Sequence, residues 1–180
     1  MTKRLALQAA AAGIAWSCTA AWALAADADG PGTHAFGRLE RAKIVETTPI
    51  DLPARLDAGT DQTNLFATDI KYFNGEGGMW VVFTVSNGEA VPGREVTLKE
   101  PLLRDQRVKE RTGGVAHRPV VKLNFCIGST AFQTDVNILE RTAFTPPLVL
   151  SRADVSRLGS VDAQKQYLAG DPDCKPPAPK

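Results

Sequence analysis

The sequence predicts a small, mostly β domain, a barrel or a sandwich, with one short helix near its C-terminus. Three observations predict it. Apolar residues come mostly in runs of a strand's length, without the 3.6-residue recurrence of helices. The breaks between runs hold tight-turn residues, Asn87-Gly88, Gly113-Gly114 and Gly128-Ser129. At such breaks Gly takes positive φ at no steric cost. Two runs alternate: Val121, Leu123 and Phe125 share one face of "VVKLNF", as Val136 and Ile138 do in "TDVNI". That pattern suits an antiparallel sheet with one dry and one wet face.

In chain order, the first element is a leader. Lys3 and Arg4 precede an apolar, Ala-rich run that contains no acidic residue and ends on "AWALAADADG". Ala23 and Ala25 supply the small-x-small pattern of a secretory signal peptide, with cleavage expected after Ala25. No basic stop follows the run, which argues against a membrane span. Residues 1–25 thus read as signal peptide, 26–37 as a flexible lead-in, 38–160 as the domain and 161–180 as a C-terminal tail. The chain is expected to be exported, to the periplasm or beyond.

The strand-like runs follow: "RAKIVE", "LPARL", "MWVVFTV", "REVTLKE", "QRVKER", "RPVVKLNFCI", "AFQTDVNI" and "PLVL". Trp80 reads as core. Arg104, Arg107, Lys109 and Arg111 read as a solvated strand face. In "SRADVSRLGS", Ser151 is a candidate cap, Val155 and Leu158 share a face, and Gly159 stops the helix. "VDAQKQYLAG" reads as another turn or two of helix.

Charge and motif content exclude several classes. Without the leader, 19 of the 21 basic residues stand against 20 acidic ones. Neither nucleic acid nor an anionic membrane is favoured as a partner. There is no HExxH, no phosphate-binding glycine loop, no GxSxG and no CxxC, and the only histidines are His34 and His117. No metal and no cofactor is expected. Cys126 and Cys174 remain in the exported chain. They read equally as a disulfide pinning the tail or as two thiols, one of them core.

One stretch carries candidate chemistry, "LDAGTDQTNLFA". Asp before a Gly is a common turn. Here it lies between two strand-like runs, and "PPLVLSR" arrives much later to open the helix. The chain resembles the bacterial retropepsin-like aspartic endopeptidases, a family often labelled ATP-dependent zinc protease. The resemblance rests on Asp57, Gly59, Thr63, Leu65 and Ala67, then on Arg118, Val120, Val121, Gly128, Arg141 and Pro147 through Arg152. It implies a small closed retropepsin-like β-barrel with one short C-terminal helix. It further implies a homodimer acting on a peptide or protein substrate through Asp57 and Gly59. Ala58, Thr60, Leu150, Ser151 and Arg152 would support the loop, and Arg118 and Arg141 would lie at the cleft or the dimer interface. Two carboxylates at one centre share a proton and activate water.

The sequence departs from the family pattern at Ala58, where a Thr or Ser hydroxyl would bond across the dimer, and at Ser151, where the family has Gly. Ser151 is expected to crowd the loop. Three readings follow: an aspartic endopeptidase, a catalytically weakened peptide- or protein-binding relative, and an unrelated envelope β-domain in which "DAG" is a plain turn.

Overall fold

The computed structural model describes residues 35–88, 93–109, 113–141 and 146–174. The expected signal peptide, His34 and Arg111 lie outside the described residues. The strands are β1 (Ala35–Gly37), β2 (Leu39–Ile44), β3 (Ile50–Leu56), β4 (Thr63–Gly75), β5 (Gly78–Ser86), β6 (Glu95–Pro101), β7 (Arg104–Lys109), β8 (Val115–Ile127), β9 (Thr130–Glu140), β10 (Leu148–Leu150) and β11 (Ser160–Asp162). The one helix among the described residues, α1, spans Arg152–Leu158.

Six strands close a barrel. Its order is β10-β3-β2-β8-β9-β4, and β4 returns to β10. Closure removes the sheet edges that would otherwise recruit other chains. The ring is mixed. β10 runs parallel to β3 with Leu150 opposite Leu56, and antiparallel to β4 with Leu148 opposite Leu65. β4 runs parallel to β9. The predicted alternation holds: Val121, Leu123, Phe125, Val136 and Ile138 all point into the core. Each such side chain contributes about 1.5–3 kcal/mol of burial.

Two strands outgrow the ring. The register of β4 with β5 shifts between Thr68 and Lys71, where Asp69 takes a positive φ of 54°. A bulge there bends the strand. Its first half stays in the barrel, and its second half pairs with β5, which carries β6. The N-terminal half of β8 likewise pairs with β7. The Gly128 turn joins β8 to β9 as predicted. Gly128 sits at φ 54°, and a Cβ there would lie 3.1 Å from the Ala169 side chain, so a larger residue would be strained and would press on the tail.

Four expectations need correction. Ala35–Gly37 belong to the fold, as β1 pairs parallel with β11 and Phe36 is buried. Residues 161–170 form no helix: Ser160–Asp162 are strand and turns follow. A strand pairing and a buried carboxylate override the weak helical pattern there. Trp80 is not core. It lies on the outer face of β5, stacked on Phe73 at 6.4 Å, with the Lys99 ammonium 5.2 Å from its ring. The short-run reading also missed that β4 and β8 are 13 residues long each.

The tail through Cys174 is part of the domain. Arg38 N–H donates to Lys165 O, Tyr167 N–H to Leu39 O, and Asp173 N–H to Gly128 O. Fully buried Glu40 accepts from the N–H groups of Gly37, Leu168 and Ala169. Cys126 and Cys174 are joined by a disulfide, which resolves the two readings the sequence left open. Residues on both sides of the expected 38–160, Ala35–Gly37 and the tail as far as Cys174, are thus tied to the same barrel.

Candidate active site

Asp57 follows β3 directly, and its loop leads into β4 at Thr63. Its N–H donates to Leu150 O at 3.2 Å, so β10 grips the loop at its first residue. Residues 57–60 close a turn through Thr60 N–H to Asp57 O. Within the turn, Asp57 Oδ1 accepts from Gly59 N–H at 2.9 Å. A Cβ at Gly59 would stand 3.1 Å from that oxygen and push the carboxylate aside. The other oxygen, Oδ2, faces Arg55 Nη2 at 3.3 Å. The Asp57 side chain remains 35% exposed, which leaves it open to a partner or a substrate. The exposed Arg55 pair is worth little on its own.

Arg152 straps the loop to α1. Its Nε donates to Ala58 O at 2.8 Å, its N–H donates to Thr60 O, and its Nη2 lies 3.4 Å from Asp61. Thr60 Oγ1 turns to Gln62 O. The Ala58 side chain is a methyl group and donates nothing.

The crowding expected of Ser151 does not arise. Ser151 caps α1, accepting from Asp154 N–H, and its hydroxyl donates to Asp154 Oδ2 at 3.0 Å. A buried cap of this kind stabilises a helix by ~1 kcal/mol. Beneath the loop lies a carboxylate that the sequence reading missed. Asp154 is 1% exposed. Its Oδ2 also accepts from Thr63 Oγ1 and from Thr134 Oγ1 at 3.1 Å. A signal was present, since Ser151-x-x-Asp154 has the capping-box pattern. Here, however, Ser151 N–H goes to Thr63 Oγ1 instead of to Asp154.

Asp57, Ala58, Gly59, Thr60, Leu150, Ser151 and Arg152 therefore meet at one place. Arg118 and Arg141 meet at another. They line a groove of about 670 Å³ with Ile70, Tyr72, His117 and Leu139, and none of the Asp57 loop lines it. Arg141 also lies over the Phe66 ring at 5.4 Å. On the rim, His117 Nδ1 contacts Asp105. The Tyr72 hydroxyl also reaches Asp105, and burial followed by the Asp105 charge pushes the phenol up to about 12. Among the described residues no cluster of His, Cys, Asp and Glu could hold a metal ion. No helix among them is long and apolar enough to cross a membrane.

The fold has counterparts among solved structures. The chain is similar to Lpg0085 of Legionella pneumophila subsp. pneumophila str. Philadelphia 1, a DUF785 protein of unknown function. The TM-score is 0.59 at 26% identity, over 75% of this chain and 97% of that one. No curated protein matches. The RimB-like family model, described as retropepsin-like aspartic endopeptidase RimB, matches residues 35–172, and the chain belongs to that family.

Proposed function

We propose that the chain is an exported retropepsin-like aspartic endopeptidase that cuts peptide bonds as a homodimer, with Asp57 of each copy at a shared centre. The observation that supports this is the placement of Asp57. In a chain of this family its carboxylate stands partly exposed on a turn gripped by Leu150 and Gly59. One such Asp per chain means that the chemistry needs two copies. Two adjacent carboxylates cannot both ionise comfortably, so one holds a proton and the other takes one from the attacking water. The protonated partner then polarises the scissile carbonyl, and the leaving amine receives a proton from the pair. No cofactor takes part in this scheme.

The test uses residues 26–180, a peptide library and sedimentation. Cleavage by a dimer that disappears in Asp57→Asn supports the reading. Cleavage that survives Asp57→Asn, or a dimer-independent activity, overturns it.

Ala58 favours a second reading, a non-catalytic peptide- or protein-binding domain of the cell envelope. Its methyl group cannot supply the cross-dimer hydroxyl that the resemblance implies. Ala58→Thr separates the two readings: cleavage gained only in that variant supports a weakened site. Ser151→Gly, by contrast, would remove a helix cap.

A further inference from the structure

We infer that Asp154 is a positioning residue that holds the Asp57 loop from within the chain. The loop runs from Asp57 to Thr63, and Asp154 reaches both ends. At the far end, Thr63 Oγ1 donates to Asp154 Oδ2. At the near end, Asp57 N–H is held by Leu150 O, and the residue after Leu150, Ser151, donates its hydroxyl to Asp154 Oδ2. Thr134 Oγ1, from β9, makes the third bond.

Two of the donor directions follow from backbone N–H groups. Thr63 Oγ1 accepts Ser151 N–H, and Ser151 Oγ accepts Asp154 N–H, so each hydroxyl proton is left for the carboxylate. Thr134 Oγ1 is the third hydroxyl gathered on that oxygen. On the other side, Arg157 Nη1 stands 3.5 Å from Oδ1. With Ala58 offering no hydroxyl of its own, the loop's placement depends on this buried circuit. The catalytic consequence rests on the endopeptidase reading, whereas the placement of the loop does not.

The test joins amide hydrogen exchange to kinetics on the dimeric mature chain. Asp154→Asn keeps the shape but turns an amide toward hydroxyl donors. Exchange at the Asp57 and Arg152 amides should speed up about tenfold, with Leu123 and Val136 unchanged. kcat should fall by about the same factor, with KM within about twofold. Thr134→Val should give a smaller loss in both, and Thr134→Ser should restore both. Uniform acceleration across the barrel, or an unchanged loop, overturns the inference. If wild type cleaves nothing, the endopeptidase reading falls and exchange still decides the role of Asp154. If Asp154→Asn does not fold, the Thr134→Val and Thr134→Ser pair decides it.

Discussion

Two buried carboxylates hold two ends of this molecule, and they do it with different donors. Asp154, beneath the candidate site, accepts three side-chain hydroxyls. Glu40, at the start of the domain, accepts backbone N–H groups from Gly37, Leu168 and Ala169. Both solve the same problem, since a carboxyl group taken out of water is costly unless hydrogen bonds replace its hydration. The consequences differ. Two of the hydroxyl donors, Thr63 and Thr134, belong to strands that are already paired, and the third, Ser151, caps α1, so Asp154 adjusts a loop on a finished barrel. Backbone donors belong to a segment with little pairing of its own, so Glu40 recruits residues 165–169 into the fold. The first carboxylate governs geometry, and the second governs how much chain is folded at all.

The strongest way to break that contrast is Glu40→Leu. It leaves three inward-facing N–H groups without an acceptor. A buried unsatisfied donor costs about 1–3 kcal/mol, and not all three will remain dry. The expected loss is about 3–5 kcal/mol, measured as a lower urea midpoint, with the segment after Asp162 becoming protease-sensitive. A loss below about 1 kcal/mol would show that the N–H groups find water or other acceptors, and the comparison would fail.

Cys174→Ser comes next. The bridge to Cys126 spans 48 residues, and closing a loop of that size is worth up to about 4 kcal/mol in the chain-entropy picture. Measured values usually fall short, so a loss of about 2–4 kcal/mol is expected. Because Glu40 and the disulfide restrain the same segment, the two changes should not add. A double-mutant cycle should show coupling of more than about 0.5 kcal/mol. Simple additivity would mean that the segment is held as two independent pieces.

The barrel was legible because burial imposes period two on Val121, Leu123 and Phe125, and a turn needs Gly128. The helix was legible because Ser151, Val155, Leu158 and Gly159 each do a local job. Gly59 was legible for the same reason. What could not be read depends on pairs distant in sequence. Thr63 and Asp154 are 91 residues apart, and Glu40 and Ala169 are 129 apart. Strand alternation puts Glu40 in phase with the buried Ala42 and Ile44, but nothing local supplies the donors that a carboxylate needs there, since those of Leu168 and Ala169 come from the tail. Trp80 misled for the opposite reason: a large aromatic in an apolar run fits a core, but the strand's alternation gives the inward positions to Val81 and Phe83. Arg118 and Arg141 share a groove, yet the sequence offers no way to know that it is not the one beside Asp57.

The smallest expected effect comes from a third carboxylate, which sharpens the comparison because it lacks what the other two have. Glu100 on β6 is partly buried and accepts no hydrogen bond among the described residues. Burial, then the nearby Glu46 charge, pushes it up to about 7. Glu46 is itself held in place, accepting from Asn124 N–H at 2.7 Å. The sign follows from proton counting. Between the ordinary glutamate range and pH 7 the folded state keeps a proton that the unfolded state has released, so stability falls as pH rises through that window and levels off above it. The full shift overstates the energy, because solvent still screens the group. The expected loss between pH 4.5 and pH 7 is about 1–2 kcal/mol. Glu100→Gln should remove this slope and raise stability at neutral pH by about that amount. Asp135 tilts the other way at lower pH: its bond to Arg104 holds it below the usual carboxylate range, so its stabilisation is lost on acidification. The difference between wild type and Glu100→Gln cancels that background. Urea titrations of both at pH 5, 6 and 7 decide the matter. Parallel profiles would mean that Glu100 is already relieved by water or by movement of β6, and that burial without donors does not by itself distinguish it from Glu40 and Asp154.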